Sequence, residues 1–216
     1  MTRFGQSKRT RFITLEGIEG VGKSTHLKFI ADWLRAHGSK PLVTREPGGT
    51  RLADEIRRLL LTPRSQPVAP MAELLLMFAA RASHIEQLVR PALISGRWVL
   101  CDRFTDASYA YQGGGRRLPQ RQIAALEHMV TRGLKPDLTL LLDAPVPVGM
   151  TRVRRRGARD RFELERQAFF ERVRRVYLRR ARNEPRRVRI IRADVSLSAV
   201  REQILNVLQQ CVLPWL

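Results

Sequence analysis

The chain has 216 residues, 44% of them hydrophobic, and a formal net charge of +20 from 40 lysines and arginines against 20 acids. That length suits one compact domain with a sizeable core and room for lid-like insertions, and no apolar stretch approaches the roughly 20 residues that a helical membrane span needs. Two cysteines, Cys101 and Cys211, imply no disulfide framework and fit a reducing, cytoplasmic setting.

Met1 to Arg11 is basic but lacks the apolar core and small-residue cleavage site of a signal peptide, so it reads as a short tail ahead of a single domain, residues 12–216. The apolar run Phe12 to Leu15 predicts a first strand. It leads into Gly17-Ile18-Glu19-Gly20-Val21-Gly22-Lys23-Ser24, the full phosphate-loop pattern G-x-x-x-x-G-K-[ST], and a helical pattern then runs from Lys23 to His37. The strand–loop–helix context gives the pattern its physical meaning. Glycines admit positive φ and a close backbone approach to polyphosphate. The loop N–H groups and the helix N-terminus face the anion together. Lys23 reaches the β- and γ-phosphates and the Ser24 hydroxyl ligates Mg2+. Residues 17–25, ending at Thr25, are thus the predicted ATP site.

Further strands are predicted at Pro41–Thr44, Trp98–Cys101, Leu138–Leu142 and Val188–Ile191. Helical patterns separate them at about Leu52–Leu61, Met71–Ser95 with a kink at Pro91, Gln120–Thr131, Val148–Arg156, Leu164–Arg182 and Leu197–Gln210. This alternation predicts an α/β fold, with a five-stranded parallel sheet flanked by crossover helices.

Two strands end in an acid, Asp102 and Asp143, and ligands of open α/β sheets lie outside the carboxyl ends of strands. Asp102, followed by Arg103, is the candidate for Mg2+ or phosphate; Asp143 reads as a helix-capping or loop-ordering residue. After the second strand, Glu46-Pro47-Gly48-Gly49 forms a tight turn. After the third, Asp102 to Arg116 mixes Arg, Ser, Tyr and Gln with three glycines, donors and rings beside flexible backbone that suit a pocket.

The phosphate loop with an acid at its third position, T-R-E-P-G-G-T, A-E-L-L-L-M-F-A-A-R, D-R-F, A-Y-Q-G-G-G-R, K-P-D-L-T-L-L-L-D and R-G-A-R-D-R-F-E occur in that order. The ordered set, from Ile13 to Arg179, resembles bacterial thymidylate kinases of the type whose lid supplies the catalytic arginine. The resemblance implies a P-loop nucleoside monophosphate kinase fold with a small lid at about 153–163, and transfer of a phosphoryl group from ATP to dTMP with Mg2+. It implies that Glu19 meets the 3′-hydroxyl of the acceptor, that Arg57 and Arg103 hold the acceptor phosphate, and that Arg81 bonds the thymine O4. Ser108 and Gln112 would read the base edge, and Tyr111 would sit against the deoxyribose. The family's stacking ring stands four residues before Arg81. Here Met77 has that place and Phe78 the next, so either Met77 packs on the base or Phe78 takes over. The Glu46–Pro47 bond is expected to be cis, and a homodimer is implied.

The lid has its own logic, because transfer of a γ-phosphoryl group spreads charge over its oxygens and arginines from a closing loop stabilise it. Arg156, Arg159 and Arg161 are the candidates, and Gly157 can hinge. No arginine lies between Gly17 and Lys23, so that charge comes from elsewhere. The arginine surplus between Arg152 and Arg192 reads as a solvated helix face mixed with Glu163, Glu165 and Glu171. The rival functions are another nucleoside monophosphate or deoxynucleoside kinase, and a basic P-loop NTPase stimulated by nucleic acid, a partner disfavoured because the aromatics of the basic region, Phe162, Phe169, Phe170 and Tyr177, fall at spacings that also suit a helix core.

Overall fold

The structure, a computed structural model, describes residues 10–157 and 160–216. The tail up to Arg9 and the lid candidate Arg159 lie outside the described residues. Arg11, assigned to that tail, is instead held at the amino-terminal end of the central strand by an ion pair to Asp137 at 2.9 Å, its guanidinium 4.3 Å from the Trp215 ring centre.

Five parallel strands form one sheet: β1 (Phe12–Glu16), β2 (Leu42–Arg45), β3 (Val99–Asp102), β4 (Leu138–Asp143) and β5 (Val188–Arg192), in the order β2-β3-β1-β4-β5. The central strands read as apolar runs because helices cover both faces of the sheet. Every residue of β1 is buried, and so are the first five of β4. Register places Asp102 opposite both Leu15 and Arg45, which gathers the carboxyl ends of β1, β2 and β3. The chain leaves β1 toward β2 and leaves β3 toward β4, so the topology reverses between these two neighbours. Open α/β sheets place their ligand crevice at such a point.

The helices are α1 (Lys23–Ala36), α2 (Arg51–Leu61), α3 (Pro70–His84), α4 (Arg90–Ile94), α5 (Thr105–Ser108), α6 (Gln120–Thr131), α7 (Val146–Arg156), α8 (Gln167–Asn183) and α9 (Leu197–Val207). α1 buries Ile30, Ala31 and Leu34 along one stripe and ends before Gly38, whose φ is 80°. α2 begins where Thr50 Oγ1 accepts the Ala53 N–H at 3.3 Å. α3 runs on into α4, and the interruption expected at Pro91 is a π-helical turn, Ile85–Val89. The proline lacks an N–H and crowds the preceding turn, and the wider turn makes room for it. α7 starts earlier than expected, at Val146, with Pro147 in its first turn.

Three expectations need correction. The run after β3 is not a flexible loop: α5 continues into a π-helical segment, Tyr109–Gly115, packed against α8. Its glycines are there for contact, since a Cβ on Gly115 would lie 2.4 Å from Phe169 Cε2. α8 begins at Gln167, not Leu164. Asp160 Oδ1 accepts the N–H groups of Phe162 and Glu163 at 2.9 and 3.0 Å and closes a turn ahead of it. Asp143 caps no helix; its carboxylate takes Arg174 of α8 at 2.7 and 2.8 Å, which ties that helix to the end of β4.

Candidate active site

The loop after β1 turns sharply, with φ of 136°, 75° and 91° at Gly17, Gly20 and Gly22. Protein enforces two of these. A Cβ on Gly17 would lie 2.3 Å from the Leu142 carbonyl oxygen, and one on Gly20 would lie 2.2 Å from the Gly149 carbonyl oxygen. Ile18 and Val21 point into the core, while Glu19, Gly20, Gly22, Lys23, Ser24 and Thr25 line a cavity of about 520 Å³. The Lys23 ammonium donates to the carbonyls of Gly17 and Ile18 at 3.1 and 2.9 Å. Burial, followed by the nearby Arg103 charge, lowers its pKa to about 8. A phosphate brought beside it favours the ammonium form.

Across the cavity, Arg103 sits at φ 70°, a left-handed conformation that costs a non-glycine residue about 1–3 kcal/mol and recurs at functional sites. Its N–H donates to the Leu15 carbonyl at 2.9 Å. Its guanidinium donates to Gly17 O at 2.9 Å, Glu19 Oε1 at 2.9 Å, the Tyr111 hydroxyl at 3.0 Å and the Tyr177 hydroxyl at 3.1 Å. The Tyr111 hydroxyl donates in turn to Glu19 at 2.7 Å. Sequence motif and downstream arginine thus meet in one hydrogen-bonded group.

A second buried network holds Arg81. Its guanidinium donates to Glu46 at 2.7 Å, Ser108 Oγ at 3.0 Å and the Phe104 carbonyl at 3.1 Å. Glu46 also accepts from His84 Nδ1 at 2.9 Å, and His84 Nε2 lies 2.8 Å from Thr44 Oγ1. Burial works against the Glu46 charge, but Arg81 and His84 keep its pKa below the ordinary value. The bond joining Glu46 to Pro47 is cis, and Arg57 donates to the Pro47 carbonyl at 2.9 Å. Arg57, Met77, Arg81, Ser108, Tyr111 and Gln112 all line the cavity. Phe78 does not. It is buried beneath Arg81, whose guanidinium lies 4.5 Å from its ring centre, so the side chain at the cavity wall is Met77.

The lid arginines part company. Arg156 lines the cavity and pairs with Glu163, its side chain 64% exposed. Arg161 turns away from the cavity. It pairs with the fully buried Glu73 at 2.7 Å and donates to the Leu60 carbonyl at 2.6 Å. A fully buried carboxylate is a deep well for guanidinium groups, and this one holds Arg161 together with Arg116, which pairs with it at 3.1 Å. Phe162 is buried edge-on to Tyr111, ring centres 5.8 Å apart. Arg152, which the sequence did not single out, also lines the cavity and donates to the Ala193 carbonyl at 3.0 Å, beside the end of β5. Its position in a run of arginines gave no separate signal.

Ser24 and Asp102 both line the cavity, and Asp102 Oδ1 is buried without a hydrogen-bond partner. Among the described residues no cluster of three or more acids, histidines and cysteines could cage a metal. One hydroxyl and one orphaned carboxylate oxygen fit Mg2+, which takes few protein ligands and completes its shell with phosphate and water.

A phosphate loop at a topological switch point, an arginine-lined second compartment in the same cavity and a lid across it define a P-loop nucleoside monophosphate kinase. The family model described as Thymidylate kinase matches residues 15–204. Thymidylate kinase of Chromohalobacter salexigens is 58% identical over 207 residues, covering 95% of this chain and 98% of that one. The enzyme of Alcanivorax borkumensis is 54% identical over 200 residues, with coverage of 93% and 96%. The crystal structure of thymidylate kinase from Ehrlichia chaffeensis superposes with a TM-score of 0.75 at 30% identity, covering 93% of this chain and 98% of that one. The chain belongs to the thymidylate kinase family.

Proposed function

We propose that the cavity holds ATP and dTMP end to end and that the chain transfers the γ-phosphoryl group in line, giving ADP and dTDP for dTTP synthesis. An oxygen of the dTMP 5′-phosphate attacks the γ-phosphorus as its bond to the β,γ-bridging oxygen breaks, with no covalent enzyme intermediate. The observation that carries this reading is that one cavity is lined by the phosphate loop through Lys23 and Ser24 and by the arginines Arg57, Arg81 and Arg103. Guanidinium forks match phosphate oxygens and carbonyls, and a second nucleotide is what three of them beside a triphosphate loop accommodate.

In this reading Lys23 holds the β- and γ-phosphates, and Arg57 and Arg103 hold the acceptor phosphate. Glu19 fixes Arg103 and the acceptor 3′-hydroxyl. Arg81, Ser108 and Gln112 address the base, Met77 packs on it, and Tyr111 lies against the deoxyribose, disfavouring a 2′-hydroxyl. Mg2+ held by Ser24 and Asp102 would neutralise phosphate charge. Of the described lid arginines, Arg156, which lines the cavity, would meet charge developing on the γ-phosphate. The setting is the cytoplasm. A second copy of the chain is the partner, supported by the exposed apolar side chains Leu52 and Leu59 on α2 and Leu75 on α3.

ADP release coupled to a reporter, compared across dTMP, dUMP, dCMP, dGMP and thymidine, tests the assignment. dTMP should give the highest kcat/KM, and a better rate with thymidine or dGMP would sink it. Lys23→Ala should keep the fold, by circular dichroism, and lose phosphoryl transfer; near-normal turnover would remove Lys23 from the donor site.

A further inference from the structure

Arg103 depends on two residues remote from it in sequence. Glu16, the last residue of β1, is fully buried, and Tyr177 of α8 is 3% exposed; neither lines the cavity. One Glu16 oxygen accepts the Phe104 N–H at 2.7 Å, which pins the amide that follows the left-handed Arg103. The other accepts the Tyr177 O–H at 2.7 Å. The Tyr177 oxygen then faces the Arg103 guanidinium at 3.1 Å as an acceptor.

The polarity of this chain of bonds matters. A phenol hydroxyl has one proton, and a guanidinium offers donors only. Tyr177 can meet Arg103 productively only if its proton is directed elsewhere, and Glu16 takes it. The acid therefore acts on Arg103 twice, through the backbone amide at 104 and through the phenol. The ring packs edge-on to Tyr111, centres 6.4 Å apart, and a phenylalanine would keep that contact while losing the relay.

We propose that Tyr177, with its hydroxyl oriented by Glu16, is a positioning residue for Arg103 that sets the plane of the fork presented to the acceptor phosphate. This deepens, and rests on, the reading of Arg103 as a ligand of that phosphate. α8 follows the lid in the chain, so the helix that leads out of the lid also orients the arginine beneath it.

The test uses full-length Tyr177→Phe, Glu16→Gln, the double variant and Arg103→Lys, with KM for dTMP, KM for ATP, kcat and Tm measured for each. Tyr177→Phe should raise KM for dTMP about tenfold, the scale of one lost hydrogen bond to a charged group, with KM for ATP and kcat nearly unchanged and a modest fall in Tm, since a buried Glu16 oxygen loses its donor. Glu16→Gln should act in the same sense, since an amide donates to the phenol where the carboxylate accepted. The double variant should be no worse than the worse single, because both act through one hydroxyl. A dTMP KM left unchanged in Tyr177→Phe while Arg103→Lys raises it overturns the positioning role alone. Parallel loss of both substrates with a large fall in Tm would mark Tyr177 as merely structural and overturn it too. An unchanged dTMP KM in Arg103→Lys would overturn the reading of Arg103 and the positioning role with it.

Discussion

Glu16 is a carboxylate in a place that disfavours its charge. Burial first, and then the nearby Asp106, push its pKa from 4.5 up to about 7, while Arg103, Tyr177 and the Phe104 N–H hold it back. A raised folded-state value means that the native state binds the proton more tightly than the unfolded chain does. The stability this contributes is complete below the unfolded value and is lost as pH rises through about 7. Glu16→Gln is neutral throughout and lacks that dependence. The stability of the natural chain relative to Glu16→Gln should therefore fall, by roughly 1–3 kcal/mol, between about pH 5.5 and about pH 8.5. Urea unfolding of both proteins across that range measures it, and a constant difference would contradict the assignment. Residue-scale detail of this kind was the least legible part of the sequence. Met77 and Phe78 stand four and three residues before Arg81, and both spacings fit one helix face, so pattern alone left the cavity-facing side chain open. Burial decides it, by placing Phe78 under the guanidinium.

The strands and the phosphate loop were readable because their signals are local. A doubly covered parallel sheet demands apolar runs, and an anion loop demands glycines next to a lysine. The segment Tyr109–Gly115 was not, because three successive glycines argue against a helix on propensity and only packing against α8 explains them. Here tertiary contact overrides the local preference. The three positions should differ when filled. A Cβ on Gly115 would lie 2.4 and 2.5 Å from two atoms of the Phe169 ring, and one on Gly114 would lie 2.9 Å from the Arg172 carbonyl oxygen. On Gly113 its close contact is the tip of Ile123, at 3.0 Å, with Gln120 Cγ at an ordinary 3.9 Å. Gly115→Ala should cost about 1–3 kcal/mol of unfolding free energy, the usual scale of overpacking, and Gly113→Ala clearly less. Equal losses in urea titrations would show that the glycines serve something other than this contact.

At the scale of the whole molecule, much of the arginine surplus is structural. Arg174 pairs with Asp143, Arg180 and Arg187 with Asp106, and Arg116 with Glu73 and Glu165. The reading of residues 152–192 as one solvated face holds for the outer side of α8, where Arg175, Arg179 and Arg182 are exposed, and for Arg154 and Arg155 of α7, but not for the arginines that turn inward to these acids. No sequence pattern could divide them, since the acids that select the inward set are distant in the chain. The same division separates the lid arginines. The side chain of Arg156 is mostly exposed and borders the cavity, and its partner Glu163 keeps the Asp160 N–H, so Arg156→Ala should lower Tm only modestly and lower kcat at least about a hundredfold, as expected for a charge that acts in the transition state. Arg161 is 12% exposed and paired with a fully buried acid. Its removal strips Glu73 of one of two guanidinium partners, so Arg161→Ala should lower unfolding free energy by about 3 kcal/mol and change kcat far less. Calorimetry and steady-state kinetics on the two variants measure both halves. The opposite pattern, with Arg161→Ala stable and inactive and Arg156→Ala active, would mean that the lid rearranges during turnover to release Arg161 from Glu73 and bring it to the phosphates.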